Sequence, residues 1–363
     1  MTTGGQDTTS VRQSIDIESL AQWMSNQDEL SNLLPKHFSK NDLSIRQFGF
    51  GQSNPTYLLT IDILQHKLVL RRKPSKVAHK SAHALHREFH VLKSLEAHNL
   101  ANPNTIVPIP KPYCYCTTSN ILGAEFYIME YIQGRIFIDP TLPGLSPLDR
   151  SNMYKDAANI LAHIHSVNVN AVGLSTYGKR GNFVQRQMKR LSAVADNQAK
   201  TIGPIEGLDA LVSAVTRAAP YCPDATALIH GDYKLDNLIF HPTLPQVIGV
   251  LDWELSTIGD PMCDLANMTM IYYTPSMDQG FGIAGLGRRN WDTLQQRGIP
   301  SRDQWLDCYS DYNPSLSREE IQFWKGFYLT FLFFKNCVIV HGVKQRAASG
   351  VASSAMAKKG KGT

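Results

Sequence analysis

Apolar positions along the chain change their spacing near residue 131. Before it, short strand-like runs dominate. After it, recurrence every three to four residues dominates. Residues 16–40 read as helical, with Leu20, Trp23 and Met24 on one face. Residues 43–48, 56–63 and 67–71 read as strands, and Pro74 closes the last of them. Leu85, Phe89, Leu92 and Leu95 predict a helix over 81–97. Pro103, Pro108, Pro110 and Pro112 then force an extended passage. Residues 125–131 (EFYIMEY) predict a buried strand that runs into Gln133 and Gly134. That junction divides the chain into a β-rich N-terminal lobe, 1–131, and a mostly helical C-terminal lobe, 132–363. In the second lobe the pattern predicts helices over 146–166, 184–198, 207–218, 318–335 and 336–348. Short apolar strands at 228–229, 238–240 and 247–251 sit among them. The expected class is α+β, with no internal repeat.

Composition narrows the function classes. The 363 residues are 43% hydrophobic and 18% charged, which is globular and not disordered. A net charge of +5 is too slight to argue for nucleic acid. The six cysteines (Cys114, Cys116, Cys222, Cys263, Cys308 and Cys337) form no repeated C-x-x-C pair. They predict a reducing, cytoplasmic setting rather than a disulfide framework. The first ten residues are polar and lack the apolar core of a signal peptide. The longest apolar run, residues 327–334 (FYLTFLFF), falls short of the ~18 residues of a membrane span. No membrane partner is therefore expected. Residues 347–363 read as a basic tail.

The most polar motif lies between the short strands of the second lobe. It reads His230-Gly231-Asp232-Tyr233-Lys234-Leu235-Asp236-Asn237, and Asp252-Trp253-Glu254 follows the next strand. Flanking strands display these residues on turns. Phosphoryl transfer needs such a set: a carboxylate to orient the attacking hydroxyl, and hard oxygen ligands for magnesium. Turn-forming carboxylates that only cap local backbone are the plainer reading of Asp232 and Asp252.

The motif resembles that of the aminoglycoside phosphotransferase-like kinases, and within them the branch that in some proteins is fused to acyl-CoA dehydrogenases. The resemblance covers residues 43–350. It rests on FGFGQSNPTYLL, KLVLRRKP, REFHVLKSL, EFYIMEYIQG, HGDYKLDN and VLDWELSTIGDPMCDLA, of which the last two are specific together. It implies a protein-kinase-like two-lobed fold that uses ATP and Mg²⁺. It also implies residue roles. Asp232 would be the catalytic base or would orient the acceptor hydroxyl, and Lys234 would sit near the γ-phosphate. Asn237 and Asp252 would hold magnesium. Gly51, Gln52, Ser53 and Asn54 would turn over the phosphates. The hinge at 129–132, including Glu130 and Ile132, would meet the base by backbone hydrogen bonds, which leaves ATP and GTP unseparated. Asp264 would hydrogen-bond the backbone of the catalytic loop.

Two departures stand out. Arg71 occupies the position that usually holds a lysine, so Arg71 would pair with the phosphates and with Glu88. Arginine is forked and always charged, hence not equivalent. Lys73, two residues on, is the alternative cation. The glycine turn has only Gly49 and Gly51. His79, His83, His86 and His90 repeat along one helix face. They read as a solvated face rather than a metal site. From Leu265 onward twelve basic residues face seven acidic ones, a poor trap for a polycation. The branch implies a hydroxylated acyl compound or its CoA thioester as acceptor. Arg288 and Arg289 would meet CoA phosphates, and Tyr272 and Tyr273 would line an acyl channel. The competing readings are a nucleotide-binding pseudokinase, a protein kinase and an aminoglycoside kinase. Gly231 stands where protein kinases carry Arg. The spacing from Asp252 to Asp260 also leaves no room for an activation segment.

Overall fold

A computed structural model describes residues 6–12, 14–49, 54–74, 85–276, 284–287 and 291–348. Its N-terminal part is an antiparallel sheet of six strands in the order β1-β2-β3-β4-β6-β5. The strands are β1 (Thr8–Thr9), β2 (Leu43–Phe48), β3 (Thr56–Ile61), β4 (His66–Arg72), β5 (Pro112–Cys116) and β6 (Phe126–Glu130). Period-two alternation sorts β4 into two faces. Leu68 and Leu70 join one core cluster with Tyr57, Leu59, Phe126 and Ile128. Helix α1 (Ile17–Ser25) contributes Leu20 and Met24 to that cluster. Val69 faces the other way with Tyr127 and Met129, toward α2 (Leu85–Ala101) and the cleft. Arg71, two residues after Val69, shares that face.

The helix expected over 16–40 ends at Ser25. Asn26 caps it, donating to the Met24 and Trp23 carbonyls. The polar run that follows and Pro35 cannot continue the apolar stripe. The extended passage through the prolines closes with a true strand, β5, which the proline pattern hid. Its Pro112 sits where the register shifts.

The C-terminal part is mostly helical: α3 (Pro147–Ser166), α4 (Phe183–Ile202), α5 (Leu208–Ala218), α6 (Met262–Thr269), α7 (Trp291–Gln296), α8 (Arg302–Tyr312) and α9 (Arg318–Ala348). Two small antiparallel pairs lie among them. One joins β7 (Ala227–Ile229) to β10 (Thr257–Gly259), the other β8 (Leu238–Phe240) to β9 (Val247–Val250). Instead of two helices after Arg318 there is one, since no Gly or Pro interrupts residues 335–336. By length and composition α9 could cross a membrane, longer than the apolar run suggested. Its Tyr328, Phe331, Leu332, Phe334 and Val338 are nonetheless buried in the core. All six cysteines are free thiols.

Asp260, between β10 and α6, is 1% exposed and accepts from the Met262 N–H at 3.0 Å. Tyr328 bonds both its Oδ2 and the Pro223 carbonyl. A neutral Asp260 completes a donor chain, carboxyl to phenol to carbonyl. Burial pushes its pKa up to about 7, with Asp224 adding to the shift. A raised carboxylate pKa favours the fold below the unfolded value near 3.8. That contribution fades as pH rises through about 7. Asp260→Asn should therefore flatten the fall in stability between pH 4 and 8, an effect of order 3 kcal/mol. Urea melts across that range test it; parallel wild-type and variant curves would refute the role.

Candidate active site

The polar motif forms the loop between β7 and β8. Gly231 sits at φ +84°, and a Cβ there would stand 2.5 Å from the Leu255 carbonyl oxygen, so only glycine fits the turn. Asp264, in the first turn of α6 and fully buried, takes the loop's backbone in a fork. The His230 N–H donates to one carboxylate oxygen at 2.6 Å and the Gly231 N–H to the other at 2.8 Å. His165 Nε2 lies 3.2 Å from the same carboxylate, and its Nδ1 meets the Tyr309 hydroxyl at 2.7 Å. Burial works against the Asp264 charge, but His165 and the loop N–H groups hold its pKa below the ordinary value. The His230 ring ties the loop to the next strand, with Nε2 2.8 Å from the Leu251 carbonyl and Nδ1 3.3 Å from the Asp232 N–H.

Asp232 is held by Asn237, whose amide N–H₂ donates to its carbonyl at 2.9 Å and to its Oδ2 at 3.1 Å. Lys234 lies 3.5 Å from Asp232 and 3.3 Å from Asp236. Burial disfavours the Lys234 charge, yet Asp236 and Asp232 outweigh it and raise its pKa. Asn237 spends both contacts through its nitrogen, which leaves Oδ1 as a possible ligand. The Leu251 N–H donates to the Asn237 carbonyl at 2.8 Å and so brings Asp252 alongside. Asp252 adopts a left-handed conformation, φ 65° and ψ 57°, which aspartate tolerates better than most residues.

Arg71 bridges the lobes. Its guanidinium reaches Glu88 at 3.1 Å, Asp252 at 2.7 Å and Glu254 at 3.4 Å. Burial pushes the Glu88 pKa up to about 7 against the pull of Arg71. For Asp252, burial is outweighed by Arg71 and the pKa falls. The Asn54 amide donates to Glu254 at 3.2 Å, so the end of the glycine turn is tied to the same network. Gly51, Gln52 and Ser53 lie outside the described residues, as do His79, His83, Arg288 and Arg289.

The expected set is thus brought together at Asn54, Arg71, Glu88, Asp232, Lys234, Asn237 and Asp252. Lys73 is not. The strand stops at Arg72, and Lys73 pairs with Glu125 at 3.7 Å on the rim. The Glu130 carboxylate accepts from the Lys111 N–H at 3.1 Å, and the Ile132 carbonyl accepts from Gln6. Tyr272 is buried, with its hydroxyl on the Pro300 carbonyl, while Tyr273 meets Arg302 at the surface. The pair does not share one channel wall. His86 and His90 are exposed, and the His90 ring packs edge-on against Tyr177 with centroids 6.0 Å apart.

Three contributors carried no signal of their role in the sequence. Glu254 links Asn54 and Arg71. Lys335 of α9 donates to the Gly231 carbonyl at 2.9 Å. Gln6 reaches the hinge. The donor set fits magnesium: one carboxylate and one amide oxygen, both hard ligands. Arg71 Nε–H is buried with no partner, a donor of the kind phosphate oxygens accept.

Known proteins resemble this chain in sequence and fold. The chain is 39% identical over 329 residues to mouse acyl-CoA dehydrogenase family member 10, covering 91% of this chain and 29% of that protein. It spans roughly a third of the length of the curated relatives it matches, 29–38%. A solved structure of a candidate aminoglycoside phosphotransferase from Ralstonia eutropha JMP134 superposes with a TM-score of 0.72. It is 32% identical, covering 95% of this chain and 94% of that one. The aminoglycoside phosphotransferase APH(4)-Ia, solved with ADP and hygromycin B, is only 14% identical. It shares the fold at a TM-score of 0.52, over 93% of this chain and 100% of that one. The profile of the phosphotransferase enzyme family (APH) matches residues 44–296. The chain belongs to the APH phosphotransferase enzyme family, with its kinase-like α+β fold.

Proposed function

We propose that the chain transfers the γ-phosphoryl group of Mg-ATP to the hydroxyl of a small neutral or anionic molecule, a hydroxyacyl compound or its CoA thioester. The observation that supports it most is the junction of Asp232, Asn237 and Asp252 below Arg71. Asp232 accepts the hydrogen bond of the attacking hydroxyl. It takes that proton as the new O–P bond forms and the bond to the departing ADP oxygen breaks. Asn237 fixes the Asp232 carboxylate through its amide. Asn237 Oδ1 and Asp252 would hold magnesium, whose positive charge would offset that of the phosphates. Lys234 sets a cation beside the transferring group. Arg71, steadied by Glu88, meets the phosphates. Gly51, Gln52, Ser53 and Asn54 cover them, and the backbone of Glu130 and Ile132 receives the base.

The acceptor class follows from charge. Lys335 lies against the Gly231 carbonyl, one residue from Asp232. A cation there repels a polycation and suits a carboxylate or phosphate. Relatives named as acyl-CoA dehydrogenase family members add support for an acyl compound. The test is acceptor-dependent ADP release with hydroxyacyl-CoAs, free hydroxy acids, choline, homoserine, sugars and kanamycin. An anionic acyl acceptor should give the highest kcat/KM. Lys335→Glu should raise its KM about tenfold while leaving the KM for ATP nearly unchanged. Preferred turnover of kanamycin, or an unchanged acceptor KM in the variant, would overturn the acceptor class.

A further inference from the structure

The segment around residues 6–9 crosses the edge of the sheet and reaches the hinge. Thr8 and Thr9 pair antiparallel with Phe48 and Gln47 of β2. Arg46 donates to the Thr8 hydroxyl and carbonyl, each at 2.7 Å. The Gly49 N–H donates to the Asp7 carbonyl at 3.2 Å. These bonds deliver the half-buried side chain of Gln6 to residues 131–132. Its amide N–H donates to the Ile132 carbonyl at 2.9 Å, and the Tyr131 hydroxyl donates to its Oε1 at 3.1 Å. The second bond fixes the first. An amide whose oxygen is already taken by a hydroxyl presents its NH₂ to the carbonyl.

Purines differ on the edge that a hinge backbone can read. Adenine offers the N6 donor beside the N1 acceptor. Guanine offers the O6 acceptor beside the N1–H donor. Adenine is satisfied by a carbonyl from one hinge residue and an N–H from another. Guanine placed with O6 on the Ile132 N–H needs an acceptor next to that N–H. The N–H and C=O of one extended residue share an edge, so the available acceptor is the Ile132 carbonyl. Residues 131–134 are neither helix nor turn. Gln6 already holds one of the two lone pairs of that oxygen, so a second donor must compete with it for the carbonyl. Adenine makes no such demand.

We infer that Gln6 is a specificity-determining residue: by occupying the Ile132 carbonyl it biases the nucleotide site toward adenine and against guanine. The inference rests on the reading of this cleft as a nucleotide site. Its test is calorimetric titration of the full chain with Mg-ADP and with Mg-GDP. Wild type, Gln6→Ala and Tyr131→Phe are compared. The wild type should favour ADP. In Gln6→Ala the freed carbonyl should tighten GDP about five- to tenfold, the worth of one hydrogen bond, with ADP changed by about twofold or less. Tyr131→Phe lets the amide turn over and should move the ratio the same way by a smaller factor. If ADP binds and neither variant alters the ADP-to-GDP ratio, Gln6 has no such role and the nucleotide site still stands. If neither nucleotide binds the wild type, both readings fall.

Discussion

Replacing Asp232 by Asn is expected to cut kcat by about 10³–10⁴ while nucleotide affinity stays within about twofold. The asymmetry comes from where Asp232 stands. Its carboxylate is anchored by Asn237 and neighboured by Lys234, and it makes no ion pair with Arg71. On the proposed reading it faces the acceptor, while Arg71 meets the phosphates. The Asn side chain keeps an oxygen for the Asn237 amide, so the loop should hold its shape. What is lost is the charge that takes the acceptor proton. Asp252→Asn should behave differently. It removes the anion facing Arg71 and one proposed magnesium ligand, so the Mg-nucleotide affinity falls together with turnover. Acceptor-dependent ADP release and nucleotide titration, run on both variants, separate the two roles. Full turnover in Asp232→Asn would dismiss the assignment.

Much of this site could be read from the chain because its chemistry is contiguous. Asp232, Lys234 and Asn237 lie within six residues, between apolar strands too short to be anything but frames for a turn. Arg71 came from the resemblance, which sets it at the usual lysine position; in the structure period two along β4 puts it on the face of Val69, toward α2 and Glu88. The same rule misplaced Lys73, because alternation says nothing about where a strand stops. Arg72 ends β4, and Lys73 turns to Glu125. What stayed hidden is carried by contacts across long separations. Gln6 to Ile132 spans 126 residues, Lys335 to Gly231 spans 104, and His165 to Asp264 spans 99. A polar residue on an otherwise apolar helix, such as Lys335, signals that something holds it, but not what. The overlong helix over 16–40 failed for a local reason. The polar run 25–29 interrupts its apolar stripe after Met24, and Leu30 reaches the same core from a separate short turn.

Asp264→Ala should be the most destabilising single change near the site. It strips the acceptors from the His230 and Gly231 N–H groups and leaves His165 facing an uncompensated cavity, all in the buried core. Breaking such a buried, multiply bonded charge costs about 3–5 kcal/mol, a fall of about 4–7 °C in Tm for a chain of this size. The loop it releases carries Asp232, so activity per folded molecule should fall as well. Asn is no mild substitute here. One of its two head groups is a donor and would oppose a loop N–H, so Asp264→Asn should keep more than half of the destabilisation. Acidity provides an independent readout. Asp264 has a lowered pKa, so its contribution is present above the unfolded carboxylate value and is lost as pH falls through the folded one. Asp260, four residues earlier, has a raised pKa and acts in the opposite sense. The two flank the start of α6 and should bound a stability maximum between them. Asp264→Ala should flatten the acid limb of that curve and leave the alkaline limb in place. Thermal melts of the variant from pH 3 to 8 measure this. A variant whose Tm and acid limb match the wild type would show that the fork does not hold the loop.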